Sequence, residues 1–427
     1  MTAADLTIIG GGAAGMTAAI SAAQSGIRVV LIEHNDRVGK KILSTGNGRC
    51  NLGNRSVSAD DFGGSDPAFA MRVLSHCGPE ETLLFLRRIG VPTVEEDGRI
   101  YPRTMQAATV TDALRFAMAR ARVQVRTDTC VRSAGRKKGF FILKTSAGDV
   151  LRTKALLFAP GGKAAPKTGS DGSADALIEG FGHTLVMQRP ALVPLMTDAP
   201  YRRALSGLRA DALIRLYADD TLLAAERGQV QFTDYGLSGI PVFQLSAAAG
   251  ASLERGADVK VLLDLLPDVP QESVIEELKE RQRTFSGDDL QTMLCGFLPK
   301  KLLTELLRLC GLRPSAVLRT DQTLDKLAFF SKNLSQHVTG TKGFDAAQTT
   351  AGGVRTDTLT TDLESKKVRG LFFAGEIVDI HGRCGGYNLQ WAFSSGLCAG
   401  RSAARFVQES QVEHVSHTES QTSIQAR

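Results

Sequence analysis

The sequence has few cysteines, and they form no pattern. The 427 residues include seven cysteines, widely scattered and without a C-x-x-C pair. A disulfide framework, a zinc ribbon and a redox-active dithiol each need cysteines at short, paired spacings, so all three are disfavoured. We therefore expect no metal site and a reducing compartment, which we take to be the cytoplasm.

Long apolar runs and long blocks of charge are also missing. No run approaches the roughly 20 apolar residues of a membrane-spanning helix, and the N-terminus lacks the cationic segment typical of a signal peptide. The formal net charge of +6 comes without a long basic block, which is compatible with an anionic cofactor or a nucleic acid and indicates neither. We expect no membrane association. The 43% of hydrophobic residues is enough to bury the cores of two or three domains.

The strongest pattern lies at the start of the chain. An apolar run precedes Gly10-x-Gly12-x-x-Gly15, an alanine-rich helical stretch follows, and a second apolar run ends on Glu33. This order is typical of a βαβ dinucleotide-binding unit, in which Gly10 permits a tight turn, Gly12 lets the backbone approach a pyrophosphate and Gly15 lets the helix pack closely. Glu33 can accept hydrogen bonds from ribose hydroxyl groups. The unit predicts a dinucleotide but does not separate NAD from FAD.

A motif near the other end of the chain favours FAD. A strand-like run ends on Gly375 and Glu376, and residues 385–400 (GGYNLQWAFSSGLCAG) predict a helix that begins at Gly385 and Gly386. The N-terminus of such a helix can place amide donors against a group that gains negative charge, such as the N1–C2=O edge of a reduced flavin. Extended FAD needs a pole of this kind near each end, whereas NAD does not.

The stretch STGNGRCN, residues 44–51, is too rich in glycine and asparagine to form a helix or strand and is typical of a binding loop. Together with LFFAGE (371–376) and GGYNLQWAFSSG (385–396), it resembles the bacterial FAD flavoproteins of the BaiN or aminoacetone-oxidase-like family, from the first residues to about Phe406. The resemblance implies FAD as the cofactor. The chain has one complete glycine fingerprint, so we expect NAD(P)H to act, if at all, as a transient electron donor.

The expected fold class is α/β. The resemblance implies a split, Rossmann-like FAD domain of the two-dinucleotide-binding type, with an inserted small β-barrel and helical part that form a substrate domain. We assign residues 1–191 and 338–406 to the FAD domain and 192–337 to the insertion. Residues 407–427 lack apolar periodicity, so we expect a disordered tail there.

The candidate cofactor-binding residues come from these motifs and from the family resemblance. The resemblance places the adenine near Val131, and it places anion and ring contacts at Arg49, at Asn51 and at the amides of Gly46 and Gly48. The full set is Gly10, Gly12, Ala14, Gly15, Glu33, Lys41, Thr45, Gly46, Arg49, Cys50, Asn51, Val131, Gly161, Gly162, Gly375, Glu376, Gly385, Gly386, Asn388 and Leu389.

Catalytic residues are only weakly marked, because flavin hydride transfer needs mainly positioning and sometimes one acid or base. His381 and Cys384 precede the predicted flavin-side helix, and Tyr101 could border the substrate. Each is at least as easily explained as a packing residue. The resemblance leads us to expect an acidic residue near 381 and a histidine at 234, where this chain has Asp234, so no proton relay carries over from the family.

Three classes of function fit the sequence. The first is an FAD-dependent oxidoreductase acting on a small molecule, either an oxidase or an NAD(P)H-linked reductase of a C=C bond. The second is an RNA-modifying flavoenzyme, because some relatives are associated with reduction of uridine to dihydrouridine in ribosomal RNA. The third is a flavin-binding protein without catalysis. We expect the first, and the sequence leaves the substrate, the electron donor and the oligomeric state open.

Overall fold

The computed structural model describes residues 2–317 and 321–425. The chain divides into two units, one formed by Met1–Arg189 with Thr349–Arg427 and the other by Pro190–Gln348. The strands are β1 (Thr2–Ile9), β2 (Val29–Ile32), β3 (Gly53–Asn54), β4 (Phe62–Gly63), β5 (Thr93–Glu96), β6 (Arg99–Pro102), β7 (Gln124–Arg126), β8 (Val131–Lys137), β9 (Phe140–Thr145), β10 (Val150–Phe158), β11 (Leu185–Ala191), β12 (Leu195–Thr197), β13 (Arg209–Ala218), β14 (Thr221–Phe232), β15 (Gly236–Ser238), β16 (Val259–Asp264), β17 (Leu334–Thr341), β18 (Thr349–Val354), β19 (Leu371–Phe373) and β20 (His381–Gly382).

Thirteen α-helices lie within the described ranges, together with short 3-10 turns such as Thr45–Gly48 and Gly375–Ile377. The helices are α1 (Ala13–Gln24), α2 (Lys40–Leu43), α3 (Pro67–Leu74), α4 (Pro79–Arg88), α5 (Ala107–Arg120), α6 (Asp175–Glu179), α7 (Arg202–Leu205), α8 (Ile240–Glu254), α9 (Gln271–Thr284), α10 (Leu290–Met293), α11 (Lys300–Leu309), α12 (Asp321–Lys332) and α13 (Tyr387–Gln425).

The first unit is built on a parallel sheet extended by an antiparallel meander. Its strand order is β7-β2-β1-β10-β9-β8, and β19 also pairs with β10. Strand β1 is parallel to both β2 and β10, whereas β9 is antiparallel to β10 and to β8. All of β2, and β1 and β10 over Ala4–Ile9 and Ala155–Phe158, are buried, as near-continuous apolar runs in a parallel sheet should be. The α/β class and the Rossmann-like arrangement expected from the sequence are confirmed.

Helices α1 and α13 pack closely in this unit because glycines face a backbone. A Cβ added at Gly396 would lie 2.5 Å from the carbonyl oxygen of Ala14, and one at Gly400 would lie 2.6 Å from that of Ala18. Only glycine fits at such distances. The N-terminal part of α13 is thereby fixed against the helix that follows the glycine fingerprint.

The second unit contains a closed six-stranded barrel in the order β12-β15-β14-β13-β16-β17. Strand β17 pairs with β16 on one side and with β12 on the other, which closes the barrel. Helices α8 to α12 belong to the same unit, and its core is a separate cluster of apolar side chains. A β-barrel with helices is what the family resemblance implies for the insertion.

The second unit, expected over 192–337, is longer at both ends and begins at Pro190. The second unit runs to Gln348 rather than to residue 337, because β17 is needed in full to close the barrel. Helix α13 extends to Gln425, and the disordered tail expected for 407–427 stays a prediction. No glycine or proline follows Gly400 to end the helix. No helix in the described part of the chain is both long enough and apolar enough to span a membrane.

Candidate active site

The glycine turn after β1 combines two crowded positions with one open position. Gly10 has a φ of 104°, and a Cβ there would lie 2.2 Å from the carbonyl oxygen of Ala159. A Cβ on Gly15 would lie 1.9 Å from the carbonyl oxygen of Gly10, whereas one on Gly12 would meet nothing within 4 Å. Gly12 directly precedes α1, whose first amide groups have no acceptor within the helix. The turn therefore leaves room for an anion at a helix N-terminus.

Glu33, at the end of β2, is held by donors on both carboxylate oxygens. The amide of Gly11 donates to Oε2 at 2.8 Å, and the amide and side-chain nitrogen of Asn35 both donate to Oε1 at 2.8 Å. The residue is only 8% exposed. Because the protein fixes the plane of the carboxylate, its remaining lone pairs are preorganised for hydroxyl donors. The chain entering β8 passes beside it, since Thr129, two residues before Val131, donates its amide to the Glu33 carbonyl at 3.0 Å.

Glu376 lies at the other end of the candidate site, after β19. Its Oε2 accepts from Lys41 Nζ at 2.7 Å, and its Oε1 accepts from the amide of Thr350 at 3.0 Å. Lys41 Nζ also reaches Ser170 Oγ at 3.4 Å. A Cβ on Gly162 would lie 2.9 Å from Glu376 Oε1. Lys41, Gly162 and Glu376, far apart in sequence, are therefore brought together.

Gly161 and Gly375 are also packed too closely for a side chain. Gly161 has a φ of 81°, and a Cβ there would lie 2.5 Å from Ser170 Oγ. Gly375 has a φ of 77°, and its Cβ would lie 2.8 Å from that of Ala14. The carbonyl of Gly375 accepts from the indole N–H of Trp391 at 3.0 Å. These contacts place the start of α1 beside the end of β19.

The loop at residues 44–51 is held in a left-handed conformation. Gly46, Asn47, Gly48 and Cys50 all have φ between 54° and 83°, which explains the glycines. The amides of Arg49 and Cys50 donate within the turn, to Gly46 and Thr45 carbonyls at 3.1 Å each. The amides of Gly46 and Gly48, which the family resemblance assigns to an anion, lie in the same turn, and that assignment stays a prediction.

Arg49 and Cys50 have environments that the sequence did not predict. The Arg49 guanidinium stacks over the Tyr101 ring, 4.3 Å from its centroid, and pairs with Glu96 at 2.5 Å. The side chain of Cys50 is fully buried, and burial raises the pKa of its thiol to about 11. Cys50 is therefore a packing residue. Tyr101, which is 7% exposed, provides the ring on which Arg49 stacks. Thr45 donates its hydroxyl to the Ile42 carbonyl at 2.6 Å.

Asn51 connects this loop to the start of α13. In the amide orientation that its neighbours require, its nitrogen donates to the Gly53 carbonyl at 2.9 Å and its oxygen accepts from the Gly386 amide at 3.0 Å. A Cβ on Gly386 would lie 2.3 Å from the Gly53 carbonyl oxygen. Asn388 holds the preceding turn, because its side chain bonds both the amide and the carbonyl of Gly382 at 2.8 Å.

The beginning of α13 leaves three amides for a ligand. The helix starts at Tyr387, so the N–H groups of Tyr387, Asn388 and Leu389 have no acceptor within it. The Gly386 amide, by contrast, already donates to Asn51. Gly385 and Gly386, with φ of 137° and 97°, set the tight entry to the helix. This arrangement suits a group that gains negative charge, such as the edge of a reduced flavin, which the sequence predicts at this position.

His381 has a buried nitrogen without a partner. It lies on β20, paired with Gly63 of β4, and a Cβ on Gly63 would lie 2.4 Å from its Nε2. Its Nδ1 is buried and makes no hydrogen bond within the protein. Burial lowers the pKa of His381. The negative charges of Asp379 and Glu376 act in the opposite direction but do not cancel this effect. Such a nitrogen calls for a ligand, a water or a catalytic role. Cys384, three residues later, is half-buried and forms no disulfide.

Several residues of the site were missed by the sequence reasoning. Asn35, Ser170, Thr350 and Trp391 each hold a predicted cofactor residue in place. Trp391 lies inside the GGYNLQWAFSSG motif, and Asn35 lies two residues after Glu33. The others act through long-range hydrogen bonds that no local pattern reveals. No group of three or more His, Cys, Asp or Glu residues that could hold a metal ion occurs in the portion of the chain that the structure describes.

These features are those expected of an FAD site. The open space at Gly12, the preorganised Glu33 carboxylate at one end and the free amides of α13 at the other are matched to a pyrophosphate, a ribose and an isoalloxazine edge. The orphaned His381 nitrogen lies on the strand that leads to α13. All of these residues belong to the first unit.

Comparison with known proteins identifies similar chains over nearly the full length. A family model described as "HI0933-like protein Rossmann domain" matches residues 4–402. The 3-dehydro-bile acid delta(4,6)-reductase of Clostridium scindens is 40% identical, over 93% of this chain and 98% of that protein. The ribosomal RNA dihydrouridine synthase of Escherichia coli K12 is 32% identical, over 92% of this chain and 97% of its own. A solved structure of a variant of E. coli quinol fumarate reductase FrdA has a TM-score of 0.50 at 17% identity, covering 98% of this chain and 74% of FrdA. At that identity the likeness shows the fold alone.

Proposed function

The chain belongs to the HI0933-like family of Rossmann-domain proteins and is an FAD-dependent oxidoreductase, and we propose that it reduces a C=C bond conjugated to a carbonyl in a small molecule. The observation that carries the proposal is the 40% identity to a bile-acid reductase over almost the whole of both chains. That match includes the inserted second unit as well as the FAD unit. A 3-oxo compound with adjacent unsaturation is the substrate class that this relative's name implies.

The cofactor is proposed to be held by the residues that the sequence and the site share. Bound FAD supplies hydride-transfer chemistry. Gly12 and the first amides of α1 would face the pyrophosphate, and Glu33 would accept from the ribose hydroxyls. The amides at the start of α13 would stabilise negative charge on the ring edge. Lys41 neutralises Glu376, and both side chains are partly exposed, so the pair leaves no unpaired charge at this part of the site.

NAD(P)H is proposed as the electron donor, bound transiently. The chain has one glycine fingerprint, so a second nucleotide has no dedicated βαβ unit to hold it permanently. A donor that binds, transfers its hydride and leaves needs no such unit. The identity of the donor, NADH or NADPH, is an outcome of the test below.

His381 is proposed to act as a neutral hydrogen-bonding group. Because burial lowers its pKa, the neutral form of its imidazole is favoured, and a neutral imidazole is a weaker acid than a charged one. Its Nδ1 can instead orient a bound group. His381→Asn, which keeps a polar atom at this position, should retain more activity than His381→Leu, with the pH profile of kcat unchanged in both. A pH profile that loses a limb in either variant would contradict this role.

The function is tested by following the flavin absorbance without oxygen. NADH or NADPH should bleach it, and a 3-oxo compound with a conjugated double bond should restore it with formation of the saturated product. The same substrate without the conjugated bond is the matched control and should not reoxidise the flavin. Restoration by oxygen alone, with no turnover of any unsaturated ketone, would indicate an oxidase and overturn the proposal.

The second candidate is reduction of uridine in ribosomal RNA, which the 32% identity to the E. coli enzyme favours. Against it, acidic residues outnumber basic ones within 190–348, whereas a surface that grips RNA needs an excess of Lys and Arg. Reoxidation of the reduced flavin by unmodified ribosomal RNA, with binding that weakens steeply as salt is raised, would favour the RNA enzyme over the small-molecule reductase.

A further inference from the structure

We propose that Asn35 is a positioning residue for the dinucleotide, which orients the Glu33 carboxylate and fastens the loop at 161–172 across the cofactor site. The proposal rests on the cofactor site of the proposed function and assigns a role to a residue outside every motif. It concerns how tightly FAD is retained, not the reaction itself.

The side-chain amide of Asn35 uses both of its N–H donors and accepts one hydrogen bond. Nδ2 donates to Glu33 Oε1 at 2.8 Å and to the Thr168 carbonyl at 3.2 Å. Oδ1 accepts from Lys40 Nζ at 3.3 Å. Aspartate could not make the two donations, because an ionised carboxylate only accepts. The residue type is therefore matched to holding an acid on one side and a loop carbonyl on the other.

The loop at 161–172 is packed against Asn35 at its far end. Gly169 has a φ of 103°, and a Cβ there would lie 2.2 Å from Asn35 Nδ2 and 3.2 Å from His34 Nε2. Only glycine permits this approach in that backbone conformation. Thr168 supplies the carbonyl that Asn35 binds. The contact is thus specific from both sides.

The beginning of the same loop is attached to Glu376 through Thr350. The amides of Lys163 and Ala164 donate to Thr350 Oγ1 at 2.8 and 3.0 Å. Thr350 in turn donates its amide to Glu376 at 3.0 Å. The loop therefore joins the two acids that mark the ends of the proposed FAD site. Asn35 is its anchor at the Glu33 end.

This arrangement predicts that FAD leaves more readily when the Asn35 anchor is lost. Asn35→Ala removes the bond to Thr168 and frees the Glu33 carboxylate, and each lost hydrogen bond to a charged or buried group corresponds to roughly a tenfold effect. We expect FAD to dissociate about ten- to a hundredfold faster. At saturating FAD, kcat should stay within about twofold of the wild type, because no reacting group is altered.

The experiment compares FAD release from the full chain in three proteins. Wild type, Asn35→Ala and Asn333→Ala are loaded with FAD, diluted, and followed by the rise of free-flavin fluorescence. Asn333 is the matched control, since it also donates a side-chain amide to a backbone carbonyl, that of Phe329 at 3.2 Å, but lies in the second unit. Gly169→Ala tests the same anchor from the loop side and should also accelerate release.

Trypsin cleavage at Lys163 and Lys167 provides a second readout that does not involve activity. In the FAD-loaded proteins, Asn35→Ala should be cut there faster than the wild type and Asn333→Ala should not. Release rates within twofold of each other in all variants would overturn the proposal, as would a fall in kcat with unchanged release. A wild type that binds no FAD would instead refute the proposed function, so the two failures are distinguishable.

Discussion

At the scale of single residues, Arg49 shows how a predicted ligand contact can be occupied by a protein partner. The sequence assigns it to the FAD pyrophosphate, and that assignment remains a prediction. Its guanidinium stacks on Tyr101 and pairs with Glu96 at 2.5 Å. Both members of the pair are about half exposed, with side chains 43% and 47% accessible, so the pair is weak and can exchange for a stronger anion.

Two substitutions test whether Arg49 changes partners. If Arg49 leaves Glu96 for the pyrophosphate, Arg49→Ala should weaken FAD binding, by about 1–3 kcal/mol for a lost charge-assisted contact. Glu96→Gln should tighten it by up to about 1 kcal/mol, because the competing surface pair is removed. Fluorescence titration of apoprotein with FAD measures both. Equal affinities in all three proteins would place Arg49 outside the cofactor site.

His183 gives a prediction about pH and stability. Its ring is buried between the hydroxyls of Ser365 at 2.7 Å and Thr358 at 3.2 Å. Burial, with a smaller effect of the Lys367 charge, lowers its pKa from 6.5 to about 4. Between these two values the unfolded chain binds a proton that the folded chain does not. The stabilisation is therefore complete above pH 6.5 and is lost as the pH falls towards 4.

Replacing His183 should remove this pH dependence. In His183→Gln, the free energy of unfolding should be lower than in the wild type at pH 7. Between pH 6.5 and 4 it should also fall less steeply, with a slope smaller than that of the wild type by up to about 1.4 kcal/mol per pH unit. Urea unfolding followed by fluorescence of the single tryptophan, the buried Trp391, provides the measurement. His76→Gln, at an exposed histidine, controls for the loss of an imidazole. Parallel pH curves for wild type and His183→Gln would contradict the prediction.

At the scale of elements, the contact between α1 and α13 is the most sharply defined. A Cβ on Gly396 would lie 2.5 Å from the Ala14 carbonyl oxygen, whereas one on Gly250, in α8, would find its nearest neighbour at 3.9 Å. Both are helical glycines, so alanine improves the helix propensity of each equally. The difference between the stability changes caused by alanine at Gly396 and at Gly250 therefore isolates the contribution of packing α1 against α13.

We expect opposite effects from the two substitutions. Gly396→Ala should destabilise the protein by about 1–3 kcal/mol, because α13 must move away from α1. It should also weaken FAD binding, since the start of α13 moves with it. Gly250→Ala should stabilise by about 0.5–1 kcal/mol. Thermal unfolding with and without FAD checks both, and a neutral Gly396→Ala would mean that the two helices separate freely.

The sequence predicted those elements that carry local signals. The strand β1, the glycine turn and α1 follow one another with a fixed spacing, and the same holds for β19 and the start of α13. Helix α8 was missed because its residues are apolar or small on nearly every side, so no stripe marks it. Strands β16 and β17 were missed because their pairing is between distant segments. The hydrogen bonds from Gly11 to Glu33 and from Lys41 to Glu376 depend on such long-range contacts too.

At the scale of the whole molecule, the division into two units separates the cofactor residues from the insertion. Every candidate cofactor residue lies in Met1–Arg189 or Thr349–Arg427, and each unit has its own apolar core. A unit with its own core can fold without the other. The family resemblance assigns the substrate to the insertion, and that assignment remains a prediction.

Replacing Pro190–Gln348 by a short Gly/Ser linker should therefore spare FAD binding and abolish turnover. FAD affinity is measured by titration, and turnover by the anaerobic bleaching assay with an unsaturated ketone. Circular dichroism establishes that the shortened chain is folded. Turnover that survives in it would show that the substrate site lies wholly in the FAD unit, and loss of FAD from a folded chain would show that the second unit contributes to the cofactor site.

The identity of the bound cofactor tests the central claim most directly. The purified protein should be yellow, and heat should release one flavin per chain that elutes with FAD on chromatography. The reason is that the site has two separate binding features. Glu33 and the glycine turn are suited to the adenosine half of the cofactor, and the start of α13 is suited to a flavin. Release of FMN or of NAD, or failure of the apoprotein to bind added FAD, would contradict the assignment of this chain as an FAD-dependent oxidoreductase.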